Sequence, residues 1–409
     1  MKAVLTGLGV GFGGLFVVVA ALLALGAYAK NLPWVGLLGS AFTSLIPAWV
    51  MVLALVGGLL VWLSLHPTPS SGAARQVFGY GLPALAFLAV LGTGNVWLQM
   101  TGAASAHEVR LPPMAGFGLR GGPKGAPPDQ TFVYTHDVGE DLHLSTFRPD
   151  GSPPAGGWPV LVYVHGGGWI GGSRTDRNAD MHWFADQGWL VVSVDYALSS
   201  ETRHLWDRAG PQVGCALAWI ADNIGAHGGD IDRLALIGDS AGGALVINAG
   251  YMANAGTLAP SCGGTVPRVR AVSAMYPGSD PAALSKNTNI PTGAAVADMI
   301  RKYIGGTPEQ YPNRIAYVTS RNHITPAAPP TLVYIAENDH LVSPASLNAF
   351  IKDAREGGVE VESVTVPFAE HGYDFLGTGN AIMRQTSLRF LNARVAGPKP
   401  ALPARPQVR

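Results

Sequence analysis

Two junctions in the sequence pair residue types that suit acyl-transfer chemistry. In LALIGDSAGGALVINA an apolar strand pattern ends at Gly238, a turn carries Asp239 and Ser240, and a helical pattern opens at Ala241. The pentad Gly238-Asp239-Ser240-Ala241-Gly242 fits G-x-S-x-G, whose glycines permit the tight, strained turn that lifts a serine hydroxyl to a helix N-terminus. Composition alone would supply roughly 0.4 such pentads, so the strand-turn-helix context carries the weight. The second junction is WPVLVYVHGGGWIGG, where a strand from Val160 to Val164 runs into His165-Gly166-Gly167-Gly168-Trp169. Three consecutive glycines leave backbone N–H groups unshielded and free to stabilise an oxyanion. Chance would give HGGG only about 0.02 times here, which makes this the more specific signal. His165 itself reads as a residue that orients the loop through hydrogen bonds rather than as a base.

A serine hydroxyl needs an imidazole to take its proton and a carboxylate to hold that imidazole. The strand TLVYIA leads into Glu337-Asn338-Asp339-His340, which puts Asp339 at a strand's carboxyl end, 99 residues after Ser240. The strand VESVTVP leads into Phe368-Ala369-Glu370-His371-Gly372, which puts His371 at the next strand end, 32 residues further on. The order Ser, Asp, His thus falls on successive strand-to-helix loops. Glu337, two residues before Asp339, is the alternative carboxylate. Glu370 reads as a surface charge, and Asp239 as a structural hydrogen-bonder in the nucleophile turn. No H-x-x-x-H or H-E-x-x-H array is present, so no metal is expected.

These loops require a framework of strands and helices. Thr131 to Thr135 and Leu142 to Phe147 read as a hairpin. Short apolar runs follow at Val160 to Val164, Leu190 to Val194, Leu234 to Ile237, Val269 to Met275, Leu332 to Ile335 and Val361 to Val366. Between them, Asp180 to Gln187, Gln212 to Ala226, Ala241 to Asn254, Pro344 to Glu356 and Ile382 to Ala393 read as helices. Such alternation predicts an α/β domain with a mostly parallel sheet covered on both faces, its ligand site beyond the carboxyl ends of the strands.

The first hundred residues are of another kind. Of 409 residues, 27 are basic and 27 acidic, so the charges cancel and leave no nucleic-acid footprint. Charged residues make up only 13% against about 25% in an ordinary soluble protein. The deficit is concentrated: no charge lies between Lys2 and Lys30, or between Lys30 and Arg75. Residues 3–29, 42–65 and 78–100 read as transmembrane helices, the third interrupted by Pro83 and glycines. The Pro/Gly-rich stretch 105–130 reads as a linker, 131–395 as the catalytic domain, and 396–409 as a disordered tail. Three spans starting inside, or two after cleavage at Ala27-Tyr28-Ala29, place the domain on the extracytoplasmic side. There Cys215 and Cys262 could pair, provided that their Cα atoms come within about 7 Å.

HGGGW at 165–169, GDSAGG at 238–243, the Asp339 loop and EHGYDF around His371 together resemble the α/β-hydrolase superfamily, specifically the hormone-sensitive-lipase-like esterases, over about residues 130–395. The resemblance implies an α/β-hydrolase fold with Ser240 as nucleophile, His371 as general base and acid, and Asp339 as the orienting carboxylate. It implies an oxyanion hole from the N–H groups of Gly166, Gly167 and Ala241, and no cofactor. Where relatives carry Tyr-Arg-Leu-Ala-Pro-Glu, this chain has Tyr196-Ala197-Leu198-Ser199-Ser200-Glu201. The usual N-terminal helical cap is replaced by the membrane spans, so Ser279 to Ile324 is the expected lid, with an inert insertion as the alternative. The expected activity is that of a membrane-anchored serine carboxylesterase or lipase. An acyltransferase or peptidase on the same fold, or a non-catalytic membrane binding protein, are the alternatives. The expected partners are a lipophilic ester and membrane lipids; the sequence carries no signal of oligomeric state.

Overall fold

The computed structural model describes residues 2–119 and 126–395; the C-terminal tail expected at 396–409 lies outside the described residues. The chain begins with four helices: α1 (Lys2–Tyr28), α2 (Val35–Leu45), α3 (Pro47–Leu65) and α4 (Ala73–Ala106). Of these, α1, α3 and α4 are long and apolar enough to cross a membrane. The expected second span, 42–65, is divided, because Phe42 to Leu45 belong to the separate short helix α2 and Pro47 starts α3. Proline has no N–H to continue a helix but suits its first turn, which explains the division. The expected third span is longer at both ends and is not interrupted: α4 passes through Pro83 as one helix. Neighbouring helices can compensate the backbone group that proline frees in apolar surroundings.

Eight strands form one sheet, β1 (Gln130–Asp137), β2 (Glu140–Phe147), β3 (Trp158–Val164), β4 (Leu190–Val194), β5 (Gly229–Asp239), β6 (Ala271–Met275), β7 (Thr331–Ala336) and β8 (Val361–Val366), in the order β1-β2-β4-β3-β5-β6-β7-β8. The β1–β2 and β2–β4 pairs are antiparallel and the rest parallel. The helices are α5 (Asn178–Asp186), α6 (Ala209–Asn223), α7 (Ser240–Ala255), α8 (Pro281–Ser285), α9 (Gly293–Ile304), α10 (Pro312–Val318), α11 (Pro344–Glu356) and α12 (Gly377–Arg394).

Alternation along the central strands builds two cores. Val160, Val162 and Val164 of β3 face the layer that contains α6, α7 and α11. Leu161 and Tyr163 face the layer that contains α5 and α12. Both faces are buried, which is why these strands read as continuous apolar runs. The second core also takes in Val96, Met100 and Ala104 from the end of α4, so this long apolar helix continues into the core of the α/β domain. The expected linker is correspondingly anchored where it is described: the N–H of Arg110 donates to Gln385 Oε1 at 2.9 Å, and Gln385 Nε2 donates back to the Arg110 carbonyl at 2.7 Å.

Because β3 and β5 to β8 run parallel, their carboxyl ends share one edge, and the loops that follow them meet there.

Candidate active site

Ser240 opens α7 directly after β5, with φ 54°, a left-handed conformation costly for a side chain bearing a Cβ. The flanking glycines accommodate that turn. A Cβ on Gly242 would lie 2.1 Å from the Val164 carbonyl oxygen, and one on Gly238 would lie 2.6 Å from the Gly242 carbonyl oxygen. The turn around Ser240 can therefore press against β3 only with glycine at both sites.

His371 follows β8 and Asp339 follows β7, as expected. His371 Nε2 lies 3.0 Å from Ser240 Oγ, and Nδ1 donates to Asp339 Oδ2 at 2.8 Å. The other oxygen of Asp339 accepts the N–H groups of Leu341 and Val342, each at 2.8 Å, which fixes the carboxylate's orientation. The alternative carboxylate, Glu337, points elsewhere and accepts the Phe368 N–H at 2.8 Å. Burial lowers the proton affinity of His371, but the charge and hydrogen bond of Asp339, with Glu370 and Asp239 nearby, more than offset this and raise its pKa above the usual histidine value.

The HGGGW loop lies beside Ser240. Gly167 and Gly168 line the cavity above the hydroxyl, as does Ala241. Gly166 sits beneath it, where a Cβ would meet the Asp239 carboxylate at 2.6 Å. Buried His165 donates from Nδ1 to the Gly166 carbonyl, 2.7 Å away, and stacks on Tyr196 at 4.4 Å, the expected orienting role. The cavity measures about 360 Å³ and is mostly apolar, with Leu284, Val296, Met299 and Ile300 on one wall. Those four come from the 279–324 segment, which thus caps the pocket. A larger cleft of about 600 Å³ lies on the far side of Asp339, near Lys30 and Asn289, and does not reach Ser240.

Sequence reading missed a buried charge network behind Ser240, His371 and Asp339. Arg177, 1% exposed, pairs with Asp374 at 3.0 Å, Asp180 at 3.3 Å and Asp239 at 3.7 Å, and Arg384 pairs with Asp180 at 2.7 Å. Asp239 also accepts from the Tyr163 hydroxyl at 2.7 Å, the structural role expected of it. Tyr276, whose ring rests 4.4 Å from that of His371, donates its hydroxyl to Asp374. Burial opposes the charge on Arg177, yet Asp374, Tyr276, Asp239 and Asp180 together keep it protonated well beyond its usual range. Asp374 stood within EHGYDF without an assigned role, and Arg177 carried no local signal.

Glu370 requires a correction. It is not a surface charge but 4% exposed; Oε1 accepts the N–H groups of His371 at 3.0 Å and His340 at 2.8 Å, while Oε2 lies 2.5 Å from His340 Nδ1. Strand-end loops are usually exposed, but here residues 27–40 cover this one. Cys215 and Cys262 form a disulfide, with Cα atoms 5.7 Å apart.

Residues 150–353 match the sequence model of the BD-FAE family. Over 222 residues the chain is 31% identical to esterase LipC of Mycobacterium tuberculosis, covering 53% of this chain and 54% of that protein. It is 29% identical over 259 residues to a probable carboxylic ester hydrolase, LipM, of the same organism, covering 61% and 58%. The chain thus spans about half the length of these curated relatives. Among solved structures, an esterase from Pyrobaculum calidifontis aligns with TM-score 0.55 at 21% identity, over 74% of this chain and 92% of that one. A propionate-bound esterase from Thermogutta terrifontis aligns with TM-score 0.53 at 22% identity, over 66% and 94%. These structures share the α/β-hydrolase fold of this chain, and the sequence matches are to the BD-FAE family model and to esterases.

Proposed function

We propose that the protein is a membrane-anchored serine carboxylesterase or lipase that hydrolyses lipophilic carboxylic esters through an acyl-enzyme. The observation that carries this reading is the hydrogen-bonded chain Ser240–His371–Asp339 opening into an apolar cavity. Ser240 Oγ attacks the ester carbonyl while its proton passes to His371 Nε2, and Asp339 holds the resulting imidazolium. The N–H groups of Gly166, Gly167 and Ala241 stabilise the oxyanion. The bond to the alcohol breaks, and the departing oxygen takes the proton from His371. Water then attacks the acyl carbon, delivering a proton to the same nitrogen, and the acid leaves as Ser240 is restored.

Helices α1, α3 and α4 span the bilayer in this reading, residues 131–395 form the catalytic domain, and that domain is extracytoplasmic. The disulfide supports that side, since such bonds persist in oxidising compartments. Anchoring favours substrates that partition into the bilayer.

The test is hydrolysis of p-nitrophenyl esters of two to sixteen carbons by detergent-solubilised full-length protein beside Ser240→Ala. Activity in the wild type alone supports the reading, and the chain-length optimum separates esterase from lipase. Inactivity of both overturns hydrolysis and favours transfer to an alcohol instead of water.

A further inference from the structure

The catalytic acid and base loops are held from the membrane side of the molecule. Asn338, immediately before Asp339 and 5% exposed, donates through Nδ2 to the Ala27 carbonyl in the last turn of α1 at 2.8 Å and to Ser40 Oγ in α2 at 3.0 Å. His340, immediately after Asp339, lies between Glu370 Oε2, 2.5 Å from Nδ1, and the Lys30 carbonyl, 2.7 Å from Nε2. Lys30 Nζ donates to the Glu337 carbonyl at 3.2 Å, and Tyr28 packs edge-on against Phe368 at 5.1 Å. The α1–α2 turn that makes these contacts is itself tightly closed, because a Cβ on Gly39 would lie 2.5 Å from the Gly26 Cα.

We propose that the segment Ala27–Ser40 is a component of the active site, and that Asn338, His340 and Glu370 are positioning residues that hold Asp339 and His371 in register against it. The inference rests on the hydrolase reading above and adds to it a role for the membrane module in the chemistry.

The hydrogen-bond inventory supports it. Both ring nitrogens of His340 face acceptors, a carboxylate and a carbonyl, so the site is fully satisfied only when both nitrogens donate, as an imidazolium paired with Glu370. Glu370 then links the two loops, since its other oxygen takes the N–H groups of both His340 and His371. Asp339 sits between two anchored neighbours. Loops at strand ends are ordinarily the mobile part of a domain, and displacement of a reacting group by about 1 Å can cost about 100-fold in rate. Glu370 also acts on His371 directly. The charged and titratable groups that face His371 are Asp339, Glu370, Asp239 and Tyr276, with Arg177 behind Asp239 and Tyr276.

The experiment uses full-length protein in lipid nanodiscs and two readouts, ester turnover and the rate at which a fluorophosphonate labels Ser240. Asn338→Ala, His340→Gln and Ser40→Ala should lower kcat, the first two by about 10- to 100-fold, with KM within about threefold. Ser40→Ala lies outside the catalytic domain and should lose non-additively with Asn338→Ala. Glu370→Gln should move the acid limb of the kcat/KM profile to lower pH, which mere loss of folded protein would not do. Wild-type kcat in Asn338→Ala and His340→Gln, or an unmoved acid limb in Glu370→Gln, overturns the proposal. A wild type that labels but does not turn over esters defeats the hydrolase reading alone, and labelling rates then decide the positioning role by the same comparisons.

Discussion

Arg177 and Asp374 face each other at 3.0 Å in an interior where each is at most 1% exposed. Asp180 and Asp239 complete the ring of carboxylates around the same guanidinium. Removing one partner of a buried pair leaves an uncompensated charge, which typically costs about 3–5 kcal/mol. Arg177→Met should therefore lower the thermal midpoint by about 10 °C, measured by differential scanning fluorimetry of the full-length protein. An unchanged midpoint would mean that Arg384, across Asp180, suffices to hold the carboxylates.

The pH dependence follows from His371. In the proposed mechanism His371 must be neutral to accept the Ser240 proton, and Asp339, with Glu370 and Asp239, raises its pKa despite burial. Activity should therefore fall as pH drops through a value above the ordinary histidine pKa of about 6.5. Asp339→Asn should reduce kcat by about 10⁴-fold and move the acid limb to lower pH, since the largest favourable charge on the imidazolium is gone. A limb at or below the ordinary value in the wild type would contradict the geometry.

The placement of Ser240, Asp339 and His371 after β5, β7 and β8 was legible because each sits where an apolar run ends and polar turn residues begin, a local signal. The disposition of strands was legible for the same reason, since burial on both faces leaves unbroken runs such as Val160 to Val164. Glu370 was not, because its partner His340 lies 30 positions earlier on another strand-end loop and is itself held by the Lys30 carbonyl 310 positions before that, and no local pattern records contacts of that range. Arg177 was hidden likewise, since its partners Asp239, Tyr276 and Asp374 lie on separate elements. The break between α2 and α3 was available in Pro47, but uniform hydropathy across 42–65 masked it.

The disulfide closes a separation of 47 residues. In the chain-entropy account such a bridge restricts the unfolded chain by about 4 kcal/mol. Cys215→Ser with Cys262→Ser should lower the thermal midpoint by several degrees, and kcat should stay near wild type because neither cysteine lines the cavity at Ser240. Loss of turnover at temperatures well below the new midpoint would instead tie the bridge to the active site.

Met299 lines the apolar pocket beside Ser240. It approaches the glycine loop so closely that a Cβ on Gly168 would lie 2.2 Å from Met299 Sδ, and both residues line the cavity with Ser240. Truncating Met299 to Ala opens space on the wall contributed by α9 without touching the Ser240–His371–Asp339 chain. Each further methylene of an acyl chain that the enlarged pocket buries is worth about 0.8 kcal/mol, close to fourfold in kcat/KM. The variant should therefore shift the p-nitrophenyl ester optimum toward longer chains by one or two methylenes, while acetate turnover changes little. Gly168→Ala is the complementary case. The glycine has φ 61°, so the substitution strains the loop as well as filling the space against Met299, and all chain lengths should suffer together. Equal losses for Met299→Ala across every ester would show that this wall does not receive the acyl chain.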